Sequence, residues 1–381
     1  MLENSVDQSK LNELIESLKN VEKKQLIGSS GSYGYDLDKL NCFLGTNLEL
    51  ADYCDKLIEI HGISYLLNNF DSTIIANGIS SAVLTSEGKL LHYHNFGAIL
   101  ATQALSEIKN SKIGKCLYLG QEDTCNLFHF LFFEIPHILN AKYLLGGGGA
   151  EEFYVYLGHK IAPYAYDLLS IFGCYQAVLI EPKSSSITTS SVLIPCSTST
   201  IINKSFPILS NAQKICMSGS LNASSNKKDI DVLIVQRLHS ANGSLGRYIW
   251  NHDELVKNLS QYKIHVVHFE NLRIKEQIVY FRRSHIVIAI HGAALSHIIF
   301  STPGTLIIEL RHILDTANHL LYPLLSVIKE ISHVNISCSQ YPQNNINKID
   351  PRNIPILAPI DQIMNLCSLH LNICLKNRAY F

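Results

Sequence analysis

The residues best suited to chemistry lie where an apolar segment ends in the second half of the chain. Ile286 to Ile290 are five consecutive apolar residues, which predict a buried parallel strand, and the run stops at His291-Gly292. Apolar residues at helical spacing follow, so the sequence predicts a strand, a tight turn and the start of a helix. Such a turn directs backbone N–H groups and the positive end of a helix dipole at one point, which suits an anion, most obviously a phosphate.

The side chains of this turn are small enough for a ligand to approach the backbone. Gly292 allows close approach, and Ala293 and Ala294 leave room in the first helical turn. We therefore expect the N–H groups of Gly292, Ala293 and Ala294 to contact a phosphate, with the His291 imidazole as a further donor. The alternative for His291 is that it only satisfies local carbonyl groups.

Two arginines could supply positive charge to the same ligand. Arg237 follows the apolar run DVLIVQ, at the edge of an open sheet where ligands bind, and its planar fork matches a phosphate. It is the best diphosphate candidate, and the alternative is a surface arginine paired with a nearby acid. Arg247 could act in the same way from the next loop, or be an ordinary solvated arginine.

Three further polar residues are candidates for the same site. Glu309 lies near the carboxyl end of the predicted strand Leu306 to Leu310, where an acid can accept from ribose hydroxyls. The alternative for Glu309 is a structural ion pair with Arg311 or Arg283. Glu276 and Gln277 stand at the start of a predicted helix, where they could contact the ligand or serve as ordinary first-turn residues.

Composition narrows the function classes. The 381 residues contain 31 Lys and Arg against 32 Asp and Glu, so no global attraction to nucleic acid is expected. The ten cysteines form no CxxC pair or cluster at zinc spacing, which indicates free thiols and no structural metal site. The first residues lack the pattern of a signal peptide, and no apolar run is long enough to predict a membrane-spanning helix.

The pattern along the chain predicts an α/β protein of two domains after an N-terminal helical extension. We assign residues 1–65 to the extension, where residues 8–24 and 38–68 have helical spacing. Residues 66–225 and 226–381 form the two domains, because strand-like and helix-like segments alternate in both and residues 222–229 have the composition of a linker. The four glycines 146–149 lack the Lys-Ser/Thr of a P-loop and predict a connector.

Three segments of the second half resemble family 61 glycosyltransferases. They are VQR at 235–237, FENLRIKEQIVYFRRSHIVIAIHGAALSHIIF at 269–300 and PGTLIIEL at 303–310, and in the first half NLFHFLFFEIPHI at 126–138 resembles the family's helix. The resemblance extends over roughly residues 90–335. It implies the GT-B fold, two Rossmann-like doubly wound domains facing across a cleft. It also implies inversion of the anomeric carbon, a nucleotide diphosphate sugar (UDP is the first choice) as co-substrate, and no metal or other cofactor.

The residue that would take the proton of the acceptor hydroxyl is chosen from the first half. His129, near the start of a predicted buried helix, is a candidate base or a core histidine. Glu134 stands one position after the place where the family carries an acid, which here is Phe133. In an α-helix Glu134 would point roughly 140° away from His129, so the two are not expected to act together. Asp123 is a third candidate.

The expected function is that of an inverting, metal-independent glycosyltransferase acting on a saccharide or glycoconjugate, as in the synthesis of surface polysaccharide such as a capsule. We expect a cytoplasmic enzyme without a transmembrane segment, and peripheral association with a membrane stays open. One alternative is a lumenal protein O-glycosyltransferase without its leader, because Asn-X-Ser sequons occur. Another is a non-catalytic scaffold that binds carbohydrate or nucleotide. A nucleotide-dependent oxidoreductase is disfavoured, because no GxGxxG fingerprint follows any strand.

Overall fold

The computed structural model divides the chain into two compact units, Met1–Cys216 and Met217–Phe381. This division lies nine residues before the boundary expected from the linker composition. The structure describes residues 56–60, 63–77, 80–85, 90–94, 110–120, 126–146, 151–181, 185–195, 208–209, 228–237, 247–315, 321–340 and 354–378.

The second unit contains a six-stranded sheet that is parallel except at one edge. Its strands are β10 (Ile230–Gln236), β11 (Ile264–His268), β12 (Ser284–Ile290), β13 (Leu306–His312), β14 (Ser332–Gln340) and β15 (Ile356–Leu357). They lie in the order β11-β10-β12-β13-β14-β15, and only the last pair is antiparallel. The five parallel strands thus follow the 2-1-3-4-5 order of doubly wound sheets. In such sheets the strand order reverses at one switch point, which here lies between β10 and β12.

The helices of the second unit bury one face each, as their apolar spacing predicts. They are α4 (His252–Leu259), α5 (Ile274–Arg283), α6 (Leu321–Ile328) and α7 (Ile360–Arg378). In α5 the buried residues Ile274, Gln277, Ile278 and Phe281 follow the helical period. The segment after the His291-Gly292 turn, Ala293–Phe300, is a 3₁₀ helix and not the expected α-helix. All its residues from Leu295 onward are buried. The apolar spacing therefore predicts a buried helical segment correctly, but it predicts the wrong type of helix.

The first unit contains a nine-stranded mixed sheet. Its strands are β1 (Lys56–Ile60), β2 (Ile63–Asn68), β3 (Ser72–Asn77), β4 (Ser80–Thr85), β5 (Leu90–His94), β6 (Asn110–Tyr118), β7 (Phe153–Tyr156), β8 (Ala177–Ile180) and β9 (Ser185–Pro195). The main path is β5-β4-β3-β9-β6-β7-β8, and β2 joins β1 to β9. Only β6, β7, β8 and β9 pair in parallel. The doubly wound expectation therefore describes part of this sheet.

One expectation for the first unit is corrected by its strands. The helical spacing of residues 38–68 is misleading in its last part, because β1 and β2 form an antiparallel hairpin there. Short segments in which most residues are apolar fit a strand as well as a helix, and the pairing of β2 with β9 decides between them. Residues 72–94 contain β3, β4 and β5, and their antiparallel pairing could not be read from composition.

A long buried helical segment follows β6. The segment comprises α1 (Leu127–His129), a π-helical turn (Phe130–Glu134) and α2 (Ile135–Leu144). A separate helix, α3 (Ala165–Ile171), follows β7. The long segment begins at a cap. Asn126 caps its start by accepting from the N–H of Phe128 at 2.9 Å. The π-turn is defined by the i→i+5 bond from the N–H of Ile135 to the carbonyl of Phe130. Sequence patterns for α-helices do not register such an insertion.

Several sequence predictions fall outside the described residues. These are the helix at residues 8–24, the candidate base Asp123, the linker composition at 222–227 and the glycines 147–149. Within the described residues, no helix combines the length and the apolar character needed to cross a membrane.

Candidate functional site

The candidate site lies at the switch point of the second sheet. β10 pairs with β12, β11 lies on the other side of β10, and β13 lies on the other side of β12. Arg237 is the first residue after β10 and His291 is the first residue after β12. In open α/β sheets the crevice beyond the carboxyl ends of these two strands is where ligands bind. The topology therefore brings the two residues of the predicted anion site to one place.

Two guanidinium groups converge on the His291-Gly292 turn. A Cβ atom built at Gly292 would overlap Nη2 of Arg237 and lie 3.5 Å from Nη1 of Arg247. The same Nη1 of Arg247 donates to the carbonyl oxygen of His291 at 2.6 Å. Gly292 has φ 157° and ψ −178°, a conformation that is essentially restricted to glycine. Glycine is thus required for both the backbone conformation and the approach of Arg237.

The backbone N–H groups of the turn divide into two sets. The N–H of His291 donates to the carbonyl of Leu310 at 2.9 Å, so it belongs to the sheet. The N–H of Leu295 donates to the carbonyl of Gly292 at 2.9 Å and begins the 3₁₀ helix. The N–H groups of Gly292, Ala293 and Ala294 precede this bond, in the first turn where helical N–H groups have no intrahelical acceptor. They are the three that the sequence assigned to a phosphate.

The imidazole of His291 is held from the protein side. Its Nδ1 lies 2.5 Å from Oε1 of Glu309, and its ring stands edge-on to Tyr322 with the ring centroids 5.2 Å apart. The side chain of His291 is 12% exposed, whereas that of Glu309 has no exposed surface. The contact with Glu309 is therefore on the buried edge of the imidazole.

Glu309 is a buried carboxylate with three partners. Its Oε1 accepts from His291 and from Nη1 of Arg311 at 3.2 Å, and its Oε2 accepts from Nε2 of His333 at 2.9 Å. Burial alone would raise the pKa of Glu309, but the hydrogen bonds from the two histidines outweigh it and lower this pKa to about 2. Both oxygens are occupied and buried, which favours the ion-pair alternative with Arg311 over contact with a ribose.

The charges around the turn favour an anion. Three guanidinium groups, those of Arg237, Arg247 and Arg311, lie around the turn. Two carboxylates oppose them, Glu309 and Asp315, and both contact Arg311, Asp315 at 3.5 Å. Burial and the nearby Glu309 carboxylate raise the pKa of Tyr322, so its hydroxyl stays neutral and can still donate and accept. A ligand with two negative charges would find a positive surplus beside polarised backbone N–H groups.

Glu276 and Gln277 make structural contacts at the start of α5. Glu276 accepts from the N–H of Arg273 at 2.8 Å, so its side chain caps the start of the helix. Gln277 is buried and donates from Nε2 to the carbonyls of Phe269 and Leu272, at 2.9 and 2.8 Å. These contacts correspond to the ordinary helix-start roles weighed for the two residues, and a contact with ligand stays a prediction.

The candidates of the first unit are separated by the π-turn. His129 is half-buried and its ring contacts Phe128 and Phe133. Glu134 is buried, and its Oε1 lies 2.5 Å from Nε2 of His159. The i→i+5 geometry changes the angle between His129 and Glu134 that an α-helix would impose. Glu134 nevertheless pairs with His159, a residue that the sequence did not single out.

One proton is shared between Glu134 and His159. Nδ1 of His159 lies 2.8 Å from the carbonyl of Lys160, which only accepts, so Nδ1 carries a proton. The 2.5 Å contact on the other side of the ring then requires a second proton between Nε2 and Glu134. Burial raises the pKa of Glu134 and His159 opposes that shift. The other carboxylate oxygen, Oε2, is buried and has no hydrogen-bond partner within the described part of the chain.

Sequence reasoning missed the residues that support His291 and Glu134. These are His333, on the strand next to that of Glu309, and His159, which follows the carboxyl end of β7. Arg311, on the same strand as Glu309, is the ion-pair partner that the sequence offers as an alternative. The alternation of His333 and Asn335 with apolar neighbours could have indicated a polar face on β14. Which strand lies beside β13 could not be read from one sequence. Among the described residues, no group of three or more His, Cys, Asp or Glu side chains is arranged to hold a metal ion.

Comparison with known proteins assigns this region to a family. Residues 150–308 match the family model described as Glycosyltransferase 61. The match confirms the family resemblance and the activity class of a glycosyltransferase, over a narrower range than the 90–335 expected from the motifs. It contains Arg237, Arg247 and the His291-Gly292 turn, and the motif at 126–138 lies outside it. A search of the curated proteins finds no match for the chain.

Proposed function

We propose that this chain, a family 61 glycosyltransferase over residues 150–308, transfers a sugar from a nucleotide diphosphate donor, with inversion and without a metal ion, to a saccharide or glycoconjugate hydroxyl. UDP is the first nucleotide to test, on the family resemblance. We propose that this transfer serves the synthesis of a surface polysaccharide. We also propose the GT-B arrangement for the two units, because each has parallel strands with helices between them.

One observation carries the proposal: the convergence of Arg237 and Arg247 on the His291-Gly292 turn, at the switch point of a doubly wound sheet. The turn supplies backbone N–H groups, and the arginines supply delocalised charge with fork-like geometry. A pyrophosphate has enough oxygen atoms to accept from both the backbone N–H groups and the arginine side chains. The two arginines and the backbone N–H groups of the turn together account for how a diphosphate would be held.

The same groups explain how transfer could proceed without a metal. As the bond from the anomeric carbon to the diphosphate breaks, negative charge grows on the leaving oxygen. Fixed donors aimed at that oxygen stabilise the transition state more than the ground state. We assign this role to Arg237, with Arg247 and the His291 side chain beside it. Arg247 is anchored by its bond to the His291 carbonyl, so its position is set before the donor binds.

The base that accepts the acceptor's proton is proposed from the first unit. His129 is half-buried and could meet a substrate hydroxyl, whereas Glu134 already shares a proton with His159. A carboxylate that is already sharing a proton is a weak base, so His129 is the better candidate of the two. Asp123 remains a candidate from the sequence.

The function is tested by measuring release of nucleoside diphosphate from a panel of nucleotide sugars, with saccharide acceptors and a metal chelator present. Arg237→Lys keeps the charge but loses the fork, and we expect kcat/KM to fall roughly 10- to 100-fold. Arg283→Lys is the matched control, because Arg283 pairs with Asp229 on the start side of the strands, away from the turn.

Each outcome has a distinct meaning. Turnover that the chelator abolishes contradicts the metal-free mechanism. Donor binding without turnover for any acceptor favours the carbohydrate- or nucleotide-binding scaffold. An equal loss in Arg237→Lys and Arg283→Lys contradicts the assignment of the diphosphate to Arg237.

A further inference from the structure

Glu309 is the centre of a hydrogen-bonded chain that ends at His291. Going inward from the site, Nδ1 of His291 lies 2.5 Å from Oε1 of Glu309, and Oε2 of Glu309 lies 2.9 Å from Nε2 of His333. Nδ1 of His333 lies 2.8 Å from the hydroxyl of Ser326, which is fully buried. Four side chains from β13, β14, α6 and the turn after β12 are thus connected without a gap.

The proton positions on His333 follow from its neighbours. Its Nε2 faces the Glu309 carboxylate and also the amide oxygen of Asn335 at 3.0 Å. Both are acceptors, so Nε2 carries a proton and donates. Nδ1 is then able to accept from the Ser326 hydroxyl, and His333 is held with its donor directed at Glu309.

The same reasoning defines the proton on His291. Nδ1 faces a carboxylate at 2.5 Å, so this nitrogen carries a proton and donates to Glu309. Nη1 of Arg311 lies 3.1 Å from Nδ1 and 3.2 Å from Oε1 of Glu309. Since Nη1 and Nδ1 are both donors, Arg311 donates to the carboxylate. The other nitrogen of His291, Nε2, has no hydrogen-bond partner among the residues that the structure describes.

We propose that Glu309 is a positioning residue, which keeps Nδ1 of His291 protonated and so directs Nε2 at the diphosphate of the donor, to which Nε2 donates when it also carries a proton. His333 and Ser326 hold Glu309 in the orientation that this requires. The inference rests on the proposed function for the identity of the ligand, but the proton position does not depend on it. When Nε2 is also protonated, it donates to a phosphate oxygen while the negative Glu309 compensates the imidazolium.

This role differs from the ribose contact expected for an acid near the end of this strand. A ribose diol needs a carboxylate oxygen that can be reached and has a vacant lone pair. Glu309 has no exposed surface, and its two oxygens receive three hydrogen bonds. A ribose role therefore predicts that altering Glu309 matters only for ligands that contain ribose. A positioning role predicts that it matters for the phosphates.

The first test is a nuclear magnetic resonance measurement on the full chain labelled with ¹⁵N-histidine and free of ligand. The His291 signal is identified by its loss in His291→Gln. At alkaline pH, where imidazoles are neutral, we expect long-range ¹H–¹⁵N correlations to show a protonated Nδ1 and an unprotonated Nε2. The opposite tautomer, or rapid exchange between the two, overturns the proposal whether or not the chain binds a nucleotide.

The second test compares the dissociation constants of UDP and inorganic pyrophosphate. Glu309→Asp keeps the charge but is too short to reach both histidines, and we expect both ligands to weaken by a similar factor of roughly 10 or more. Asp229→Asn, which removes a carboxylate paired with Arg283, is the control and should leave both constants unchanged. Loss of UDP affinity with unchanged pyrophosphate affinity overturns the positioning role in favour of ribose contact. A wild-type protein that binds neither ligand contradicts the proposed function, and the tautomer then decides the positioning role alone. If Glu309→Asp does not fold, the tautomer in the wild-type protein again decides.

Discussion

At the scale of single residues, the decisive feature is a glycine beside which an arginine fills the space that a side chain would otherwise take. Gly292 leaves the space that Nη2 of Arg237 enters, and the carbonyl before it receives Arg247. The turn, the first arginine and the second arginine are therefore one arrangement, and altering the smallest member should affect the others.

We predict that Gly292→Ala weakens binding of UDP and of pyrophosphate by roughly 10-fold or more, because the new methyl group displaces the Arg237 guanidinium. Gly304→Ala is the matched control. Gly304 also has a positive φ, 73°, but the nearest atom to an added Cβ is Nζ of Lys228 at 3.9 Å.

Both variants should lose stability by about 1 kcal/mol or more through backbone strain. Only Gly292→Ala should lose affinity, as isothermal titration calorimetry can measure. Equal affinities in the two variants would show that the space at Gly292 is not used to place Arg237.

Residue types and spacing pointed to the part of the candidate site at the strand ends but not to the buried residues behind it. Arg237 and the His291-Gly292 turn could be predicted, because each follows an apolar run that marks a strand end. The Arg311 alternative for Glu309 was also weighed from the sequence. His333 and Ser326 were not found, because their role depends on β14 lying beside β13, and one sequence does not determine strand order.

At the scale of elements, the π-turn of the first unit is the feature that α-helical periodicity could not reveal. It inserts a residue between His129 and α2, and Glu134 meets His159 beyond the end of β7. Burial of both partners makes the pair costly to break, because either one left alone is a polar group without a partner.

We predict that Glu134→Leu and His159→Phe each lower the free energy of unfolding by about 3 kcal/mol. The double variant should cost less than the sum, with a coupling energy of about 1 kcal/mol or more. Glu134→Gln should cost much less than Glu134→Leu, because an amide can still donate to Nε2 of His159. Urea denaturation measures the free energy of unfolding of the four variants and of the wild type. Additive losses would show that the two side chains do not share a proton as described.

A buried histidine in the 3₁₀ helix makes the second unit sensitive to acid. Burial among Phe269, Phe281 and Phe300 lowers the pKa of His297 to about 4, although its bond to the carbonyl of Ala294 opposes this. The unfolded chain takes up a proton near the usual value of about 6.5, and the folded protein does not until near 4. Stability is therefore lost as the pH falls from about 6.5 towards 4.

We predict that the wild-type protein loses about 1 kcal/mol more between pH 6 and pH 5 than His297→Phe does. The variant keeps the aromatic packing and removes the group that titrates. Urea denaturation at the two pH values measures the difference. His137, whose pKa burial lowers to about 3, lies in the first unit and should keep its own acid sensitivity in both proteins. Equal pH dependence in wild type and variant would contradict the account of His297.

At the scale of the whole molecule, the two compact units have separate assignments. All residues proposed to contact the diphosphate, from Arg237 to Ala294, lie in the second unit, Met217–Phe381. The motifs of the sequence predict the same assignment of the diphosphate to the second half of the chain, and it stays a prediction. The sequence could not predict the antiparallel strands of the first unit, because nothing in a short apolar run specifies its partner.

We predict that UDP raises the temperature of the unfolding transition of the second unit and leaves that of the first unit nearly unchanged, because a ligand stabilises the part that binds it. Differential scanning calorimetry of the full chain measures both. The transition that His297→Phe shifts at pH 5 belongs to the second unit. A UDP effect confined to the other transition would place the nucleotide site in the first unit.

The central claim is that Arg237 and the His291-Gly292 turn hold a diphosphate, and calorimetric titration of the wild-type chain and Arg237→Ala with UDP and with uridine tests it most directly. The account predicts that Arg237→Ala loses roughly 10- to 100-fold in UDP affinity, the value of one or more charge-assisted hydrogen bonds, while any uridine binding is unchanged. An undiminished affinity of Arg237→Ala for UDP, or an equal loss for uridine, would contradict it.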